Sequence, residues 1–149
     1  MKRLFSVLLI CFLMASVSLA AEPTKGDAEA MVKKAVAYVK ANGKDKAMAE
    51  FNNPQGAFVS GTLYIFAVDF NGITLANGGT PLLKGKDMKG LKDKDGKAFI
   101  AEMISVAKSK GSGWVDYNWV NKVTKKSEPK TSYVQKVDDY FVGCGVNRK

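Results

Sequence analysis

Histidine is absent from the whole chain of 149 residues, and this absence removes several kinds of site. Without an imidazole there is no His-based catalytic triad, no histidine general base and no histidine metal ligand. The sequence also has no glycine-rich phosphate loop placed between a strand and a helix. It therefore predicts a protein that is not an enzyme and that carries neither a metal nor a cofactor.

Arginine occurs only at Arg3 and Arg148, although Lys and Arg together number 23 and the formal net charge is +9. The lysines are spread along the chain, which argues against specific recognition of nucleic acid. A basic domain of this kind could favour anionic ligands or anionic membrane surfaces, or its charge could serve solubility alone.

The first 20 residues have the pattern of a secretory signal peptide. Met1-Lys2-Arg3 is followed by an uncharged apolar run from Leu4 to Ala20. We expect cleavage after Ala20 and release into the periplasm, which removes Lys2 and Arg3 and lowers the formal charge from +9 to +7. The alternative is an uncleaved anchor, because an apolar run of 17 residues is at the lower limit for a membrane span.

Cysteine is scarce, and cleavage of the leader would leave only Cys144. No intramolecular disulfide is then possible, although the compartment would permit one. Cys144 is either a small apolar residue buried in a terminal strand or a residue that forms an intermolecular disulfide.

Apolar periodicity predicts one α+β domain over residues 24–149. A long amphipathic helix is expected from Thr24 to Ala41, capped by Thr24 or Asp27, with a shorter helix over Lys44 to Phe51. Phe58 to Phe70 and Ile73 to Ala76 are predicted to form a hairpin around Asn71-Gly72. A third helix is expected to begin at a cap on Asp95 and to carry an apolar face from Phe99 to Ala107.

The last third of the chain is predicted to form three more strands. Trp114 to Val120 alternates, with Val115, Tyr117 and Trp119 on one face. Thr131 to Val137 forms the second strand, and Tyr140 to Val146 forms another. Large amphipathic rings with Lys130 at a strand entrance suit a pocket for a small anion. The other interpretation is a half-buried hairpin whose rings only fill a core.

Several short motifs, taken in order and spacing, resemble the single Cache domain family over essentially all of residues 24–149. They are Leu63 to Asp69 with Asn71-Gly72, Gly85-Lys86-Asp87, Leu91-Lys92-Asp93 with Asp95-Gly96-Lys97, Gly113-Trp114-Val115 with Tyr117 and Trp119, and Glu128-Pro129-Lys130 with Ser132-Tyr133-Val134. The resemblance implies a PAS-like, five-stranded antiparallel sheet behind a long N-terminal helix. It also implies an extracytoplasmic sensor that binds small molecules, often short carboxylates, in bacterial signal transduction.

This chain departs from the family pattern at two places. Family members often carry a histidine after the second strand, where this chain has Asn77 followed by Gly78-Gly79. Typical members also continue into a membrane helix and a kinase or chemotaxis module, whereas this sequence stops at Lys149. We therefore expect this chain to share ligand sensing with the family but not direct transmembrane signalling. The expected partner is a membrane sensor kinase or chemoreceptor.

The predicted ligand is a short organic acid, and the predicted binding residues are Tyr64, Phe66, Asn77, Tyr117, Trp119, Lys130 and Tyr133. Lys130 is the expected cation, although strand phase sets it opposite Tyr133, so that only a bulged strand start would bring it inward. The alternative for Lys130 is a solvated loop lysine. The alternative function is an accessory interaction module that docks on a membrane sensor without a small ligand.

Overall fold

The computed structural model describes residues 21–148. The predicted signal peptide, residues 1–20, lies outside the described residues. Within residues 21–148, none of the helices has both the length and the apolar character needed to cross a bilayer.

Three α-helices occupy the regions where apolar periodicity predicts them. They are α1 (Lys25–Asn42), α2 (Lys44–Phe51) and α3 (Phe99–Lys110). Thr24 caps α1 in a capping box with Asp27: the Asp27 N–H donates to the Thr24 hydroxyl oxygen, and the Thr24 N–H donates to the Asp27 carboxylate. The chain turns from α1 into α2 at Gly43, whose φ of 83° suits glycine.

A five-stranded antiparallel sheet in the order β4-β3-β7-β6-β5 forms the centre of the domain. Its strands are β3 (Phe66–Asp69), β4 (Thr74–Asn77), β5 (Ser112–Val120), β6 (Ser127–Val137) and β7 (Tyr140–Asn147), and a small hairpin of β1 (Val59–Ser60) and β2 (Leu63–Tyr64) precedes them. The predicted α+β fold, a five-stranded antiparallel sheet with a long N-terminal helix, is confirmed.

The segment from Phe58 to Phe70, which the sequence predicts as one strand, is divided into β1, β2 and β3. Gly61, at φ 60°, makes the turn between β1 and β2, and Ile65 interrupts the ladder between β2 and β3. The predicted alternation of side chains nevertheless holds across the breaks. Tyr64, Phe66 and Val68 pack on one side of the sheet, while Leu63, Ile65 and Ala67 pack on the other.

Helices cover both faces of the sheet, which gives the domain two apolar cores. α1 and α2 pack on the face that we call the α1 side, and α3 packs on the opposite face, the α3 side. Phe51 of α2 and Phe141 of β7 are completely buried on the α1 and α3 sides respectively. Burying one such side chain stabilises the fold by about 1.5–3 kcal/mol, so both cores contribute to its stability.

Cys144 lies in the core of the α1 side. Its thiol is fully buried, and Sγ is 3.8 Å from Sδ of Met31. Burial raises the pKa of the Cys144 thiol to about 11, so the group stays protonated and unreactive at neutral pH. A buried, protonated thiol has no route to a second chain in the folded domain, which favours the packing interpretation over an intermolecular disulfide.

The predicted helix cap at Asp95 is wrong. α3 begins at Phe99, and the residue before it, Ala98, makes no side-chain cap. The loop from Asp93 to Lys97 instead fastens onto β5. The Asn118 N–H donates to the Asp93 carboxylate at 2.9 Å, and the Lys97 ammonium donates to the Asp116 carbonyl. The carboxylates of Asp93 and Asp95 therefore bind β5 through Asn118 and do not cap α3.

This clamp makes a prediction for stability at acid pH. Bonds from the backbone N–H groups of Asn118 and Lys97 lower the pKa of Asp93 from 3.8 to about 2. The folded state therefore binds fewer protons than the unfolded state between these values. The resulting stabilisation is complete above 3.8 and is lost as pH falls through about 2.

We expect Asp93→Asn to unfold at a midpoint temperature that falls less between about pH 5 and pH 2 than the wild-type midpoint does. Asp87→Asn is the matched control, because the Asp87 carboxylate accepts a backbone N–H bond from Lys89 in an exposed turn. An acid dependence in Asp93→Asn as steep as in the wild type would contradict the assignment.

Candidate ligand-binding site

A small cavity lies on the α3 side of the sheet, closed by α3 and by the loop that follows β4. Its lining is mostly apolar and consists of Tyr64, Phe66, Val68, Thr74, Asn77, Leu83, Met88, Phe99, Ile100, Met103, Tyr117 and Trp119. The free volume is about 30 Å³. A space of this size holds about two waters, so a ligand that fits it without rearrangement has only a few non-hydrogen atoms.

Five of the seven predicted binding residues meet in this lining, namely Tyr64, Phe66, Asn77, Tyr117 and Trp119. They come from β2, β3, β4 and β5, so the sheet gathers side chains that are far apart in sequence. The alternation on β5 places Tyr117 and Trp119 inward together with Val115, as predicted.

Lys130 lies directly behind the tyrosines of the lining. It pairs with Tyr117 across β5 and β6 in a regular register, so the two side chains share the α3 side without any bulge. The side chain is only 4% exposed. Nζ donates to Oη of Tyr64 at 3.0 Å and lies 4.3 Å from the centre of that ring. The alternative of a solvated loop lysine is therefore wrong.

Tyr133 does not join the other predicted residues. The register of β5 and β6 pairs it with Trp114 on the α1 side, where the two ring centroids are 5.4 Å apart. The ammonium of Lys25 lies over the Trp114 ring at 4.8 Å. Because residues 130 and 133 are three apart in a regular strand, they face opposite sides, and it is Lys130 that lies on the same side of the sheet as the cavity.

Two glycines of β7 leave room for the pocket side chains. A Cβ atom at Gly145 would lie 2.8 Å from Cε of Lys130, and one at Gly143 would lie 2.5 Å from the Phe66 ring. Both positions face the α3 side, whereas Cys144 between them faces the α1 side. The sheet surface is therefore flat at these two glycines, and the side chains of Phe66 and Lys130 lie across Gly143 and Gly145 respectively.

The charges at this site favour an anion. Burial acts to lower the pKa of Lys130, whereas the neighbouring Tyr117 and Tyr64 phenols and the hydrogen bond to Tyr64 act to raise it, and the net direction is upward. Burial raises the pKa of Tyr117 to about 12, which keeps its hydroxyl neutral. Among residues 21–148 Lys130 forms no ion pair. A buried cation without a counterion is unfavourable and attracts an anion.

Hydrogen bonding leaves two donors available at the cavity wall. A lysine ammonium only donates, so Oη of Tyr64 accepts from Lys130 and its own proton is free to donate elsewhere. Oδ1 of Asn77 accepts from the N–H groups of Gly79 at 3.0 Å and Thr80 at 2.8 Å. These two bonds fix the orientation of the Asn77 amide and leave its NH₂ group as a donor.

Several lining residues were not predicted, and most come from α3 and the loop before it. Phe99 stacks on Tyr117 with ring centroids 4.6 Å apart and an angle of 11° between the planes. The sequence places Phe99, Ile100 and Met103 on one apolar helix face. An apolar helix face has to pack against the sheet, so the pattern could have indicated that these residues line the cavity. Leu83 ends a short 3-10 helix (Pro81–Leu83) and Met88 lies in the loop after it, and neither segment carries such a signal.

No group of His, Cys, Asp and Glu side chains within residues 21–148 is arranged to hold a metal ion. The arrangement is that of a binding site: a polar end made by hydroxyl and amide donors with a cation behind them, and an apolar end made by aromatic and aliphatic side chains. Fold and cavity together give a candidate small-molecule-binding site.

The chain belongs to the Cache domain family, whose sequence model matches residues 45–149. The predicted family is thereby confirmed. A curated relative, the methyl-accepting chemotaxis protein McpP of Pseudomonas putida, is 29% identical over 85 residues, which cover 56% of this chain. The match covers only 16% of the length of that relative.

Solved structures give the same fold. A methyl-accepting chemotaxis protein from Vibrio parahaemolyticus superposes with a TM-score of 0.73 at 24% identity, covering 83% of this chain and 87% of that one. A structure described as the basis for carboxylic acid recognition by a Cache chemosensory domain has a TM-score of 0.64 at 27% identity and covers 81% of this chain and 86% of that one. The PAS-like Cache fold of a sensor domain is thus established.

Proposed function

We propose that this domain senses short monocarboxylates outside the cytoplasm. The observation that carries the proposal is the buried Lys130 ammonium, which has no ion-pair partner in residues 21–148 and is bonded to Tyr64 at the wall of a largely apolar cavity. A carboxylate entering the cavity supplies the missing negative charge. The similarity to a Cache domain that recognises a carboxylic acid supports the same ligand class.

The carboxylate accepts hydrogen bonds from the Tyr64 hydroxyl and the Asn77 NH₂ group. Lys130 stands behind Tyr64 and strengthens that donor through its own bond to Oη. Charge-assisted bonds are stronger in such a site, because the apolar lining lowers the local dielectric constant. The aliphatic tail packs toward Phe99 and Met103.

The composition of the lining also determines what is rejected. Lys130 stands behind Tyr64, and the lining itself contains neither a carboxylate nor an ammonium side chain. The second carboxylate of a diacid would be desolvated without a cation, and the ammonium of an amino acid would be desolvated without an anion. The small free volume further favours acids with two or three carbon atoms.

We also propose that the domain works in the periplasm after removal of residues 1–20 and signals through a membrane chemoreceptor or sensor kinase. The relatives support the chemotaxis context, since they are methyl-accepting chemotaxis proteins or sensor domains of such proteins. No catalytic role is proposed.

The test is a screen of acetate and propionate against succinate and alanine, followed by calorimetry of the acids that bind. A monocarboxylate at about 100 times its dissociation constant should stabilise the fold by about 2.7 kcal/mol, which raises the unfolding temperature measurably. Succinate and alanine should give no shift. A domain that responds to none of these compounds and co-purifies with a membrane sensor would instead be an accessory interaction module.

A further inference from the structure

We infer that Gly79 is a positioning residue for the proposed site, and that its backbone holds the Tyr64 ring against Lys130. The inference rests on the proposed function for its effect on affinity, but the contact itself is a feature of the fold. Gly78 and Gly79 follow Asn77 directly at the end of β4. Because Gly79 has no side chain, its backbone can lie directly against the Tyr64 ring.

The backbone of Gly79 lies against the Tyr64 ring with no room for a side chain. A Cβ atom at Gly79 would lie 2.6 Å from both Cε1 and Cζ of Tyr64 and 2.8 Å from Cδ1. Cζ carries the hydroxyl that accepts the hydrogen bond from Lys130 at 3.0 Å. A methyl group here therefore pushes on the part of the ring that forms the site.

The glycine backbone cannot retreat to make room. The N–H groups of Gly79 and Thr80 donate to Oδ1 of Asn77, and the N–H of Gly78 donates to the Ile65 carbonyl at 2.9 Å. The segment is thus tied to Asn77 at the end of β4 and to Ile65 between β2 and β3. When a side chain is added, the Tyr64 ring has to move, and its hydroxyl leaves Lys130.

The neighbouring glycine provides a matched control. A Cβ atom at Gly78 would lie 2.8 Å from Cγ2 of Val59 and 3.1 Å from the Phe51 carbonyl, but 3.4 Å from the Tyr64 Cβ, which is ordinary contact. Gly78→Ala therefore disturbs packing without pushing on the ring. Gly90 has no atom within 4 Å of such a Cβ, so Gly90→Ala is a second control with no contact to disturb.

The experiment measures acetate affinity and unfolding temperature in the three alanine variants. We expect Gly79→Ala to lose at least about tenfold in affinity, and we expect the same loss in Tyr64→Phe. A variant that combines Gly79→Ala with Tyr64→Phe should lose no more than either single variant. Gly78→Ala should unfold at a lower temperature with unchanged affinity, and Gly90→Ala should match the wild type. Wild-type affinity in Gly79→Ala would overturn the inference.

A second measurement needs no ligand. Reductive methylation followed by mass spectrometry reports how accessible the buried Lys130 amine is. Gly79→Ala should speed the modification of Lys130, and Gly78→Ala should not. If the wild type binds no acetate, the proposed function fails while this measurement still decides the role of Gly79. Equal protection of Lys130 in wild type and Gly79→Ala would refute it.

A third variant covers the case in which Gly79→Ala does not fold. Tyr64→Leu removes the ring atoms that the added methyl group meets. Gly79→Ala combined with Tyr64→Leu should then recover folding. Failure of this rescue would show that the clash lies elsewhere.

Discussion

Lys130→Met is expected to make the domain more stable and at the same time poorer at binding carboxylates. Methionine is close to lysine in length, so it fills the same space across Gly145, and it removes a buried charge that has no counterion among residues 21–148. Without the cation, the bound carboxylate loses its counter-charge and the Tyr64 hydroxyl becomes a weaker donor. A loss of about 1.5–3 kcal/mol from this charge-assisted bond weakens affinity roughly tenfold to over a hundredfold.

Two measurements separate these effects. Thermal unfolding without ligand should give a higher midpoint for Lys130→Met, and calorimetry should give weaker binding of acetate. Lys92→Met is the control, because Lys92 is exposed and its replacement should change neither quantity. Unchanged affinity in Lys130→Met would remove the residue from the site. A lower midpoint would show that its contacts with Tyr64 outweigh the cost of burying the charge.

Phe99→Ala and Phe51→Ala are expected to destabilise the fold by similar amounts and to differ in binding. Each ring is buried, at 3% and 0% exposure respectively, so each substitution leaves a cavity that costs about 3–5 kcal/mol. Phe99 also stacks on Tyr117 and lines the ligand cavity, whereas Phe51 packs edge-on against Phe58 on the α1 side.

Chemical unfolding gives the two stabilities, and calorimetry on the folded variants gives the affinities. Only Phe99→Ala should bind acetate more weakly, because only this substitution releases the Tyr117 ring. Equal loss of affinity in both variants would mean that binding follows global stability. Phe99→Leu, which keeps most of the buried volume, should recover most of the stability.

The helices and the main hairpin could be predicted from local patterns. Thr24 and Asp27 form a capping box whose partners are three residues apart, and Asn71-Gly72 forms a turn between strands that are close in sequence. Such features depend on neighbours along the chain. The Asp95 cap failed because Asp93 and Asp95 are bonded to Asn118, a partner more than 20 residues away that no local pattern indicates.

The candidate site could be predicted as a set of aromatic residues but not as a geometry. Alternation groups Tyr117 with Trp119, yet it cannot tell which face of β6 shares their side of the sheet. That depends on the pairing of Tyr117 with Lys130, a long-range register. Helices cover both faces, so burial does not resolve the choice either. The prediction therefore puts Tyr133 with the binding residues, whereas it lies on the α1 side.

The loop that clamps β5 has a consequence for the behaviour of the protein in concentrated solution. β5 is the last strand of the sheet, and its outer backbone groups would otherwise be free to pair with a strand of another molecule. Asp93 and Lys97 occupy the Asn118 N–H and the Asp116 carbonyl in the middle of that strand. Intermolecular strand addition is thereby blocked across residues 116–118, and the sheet cannot grow into a fibril from this position while the clamp is in place.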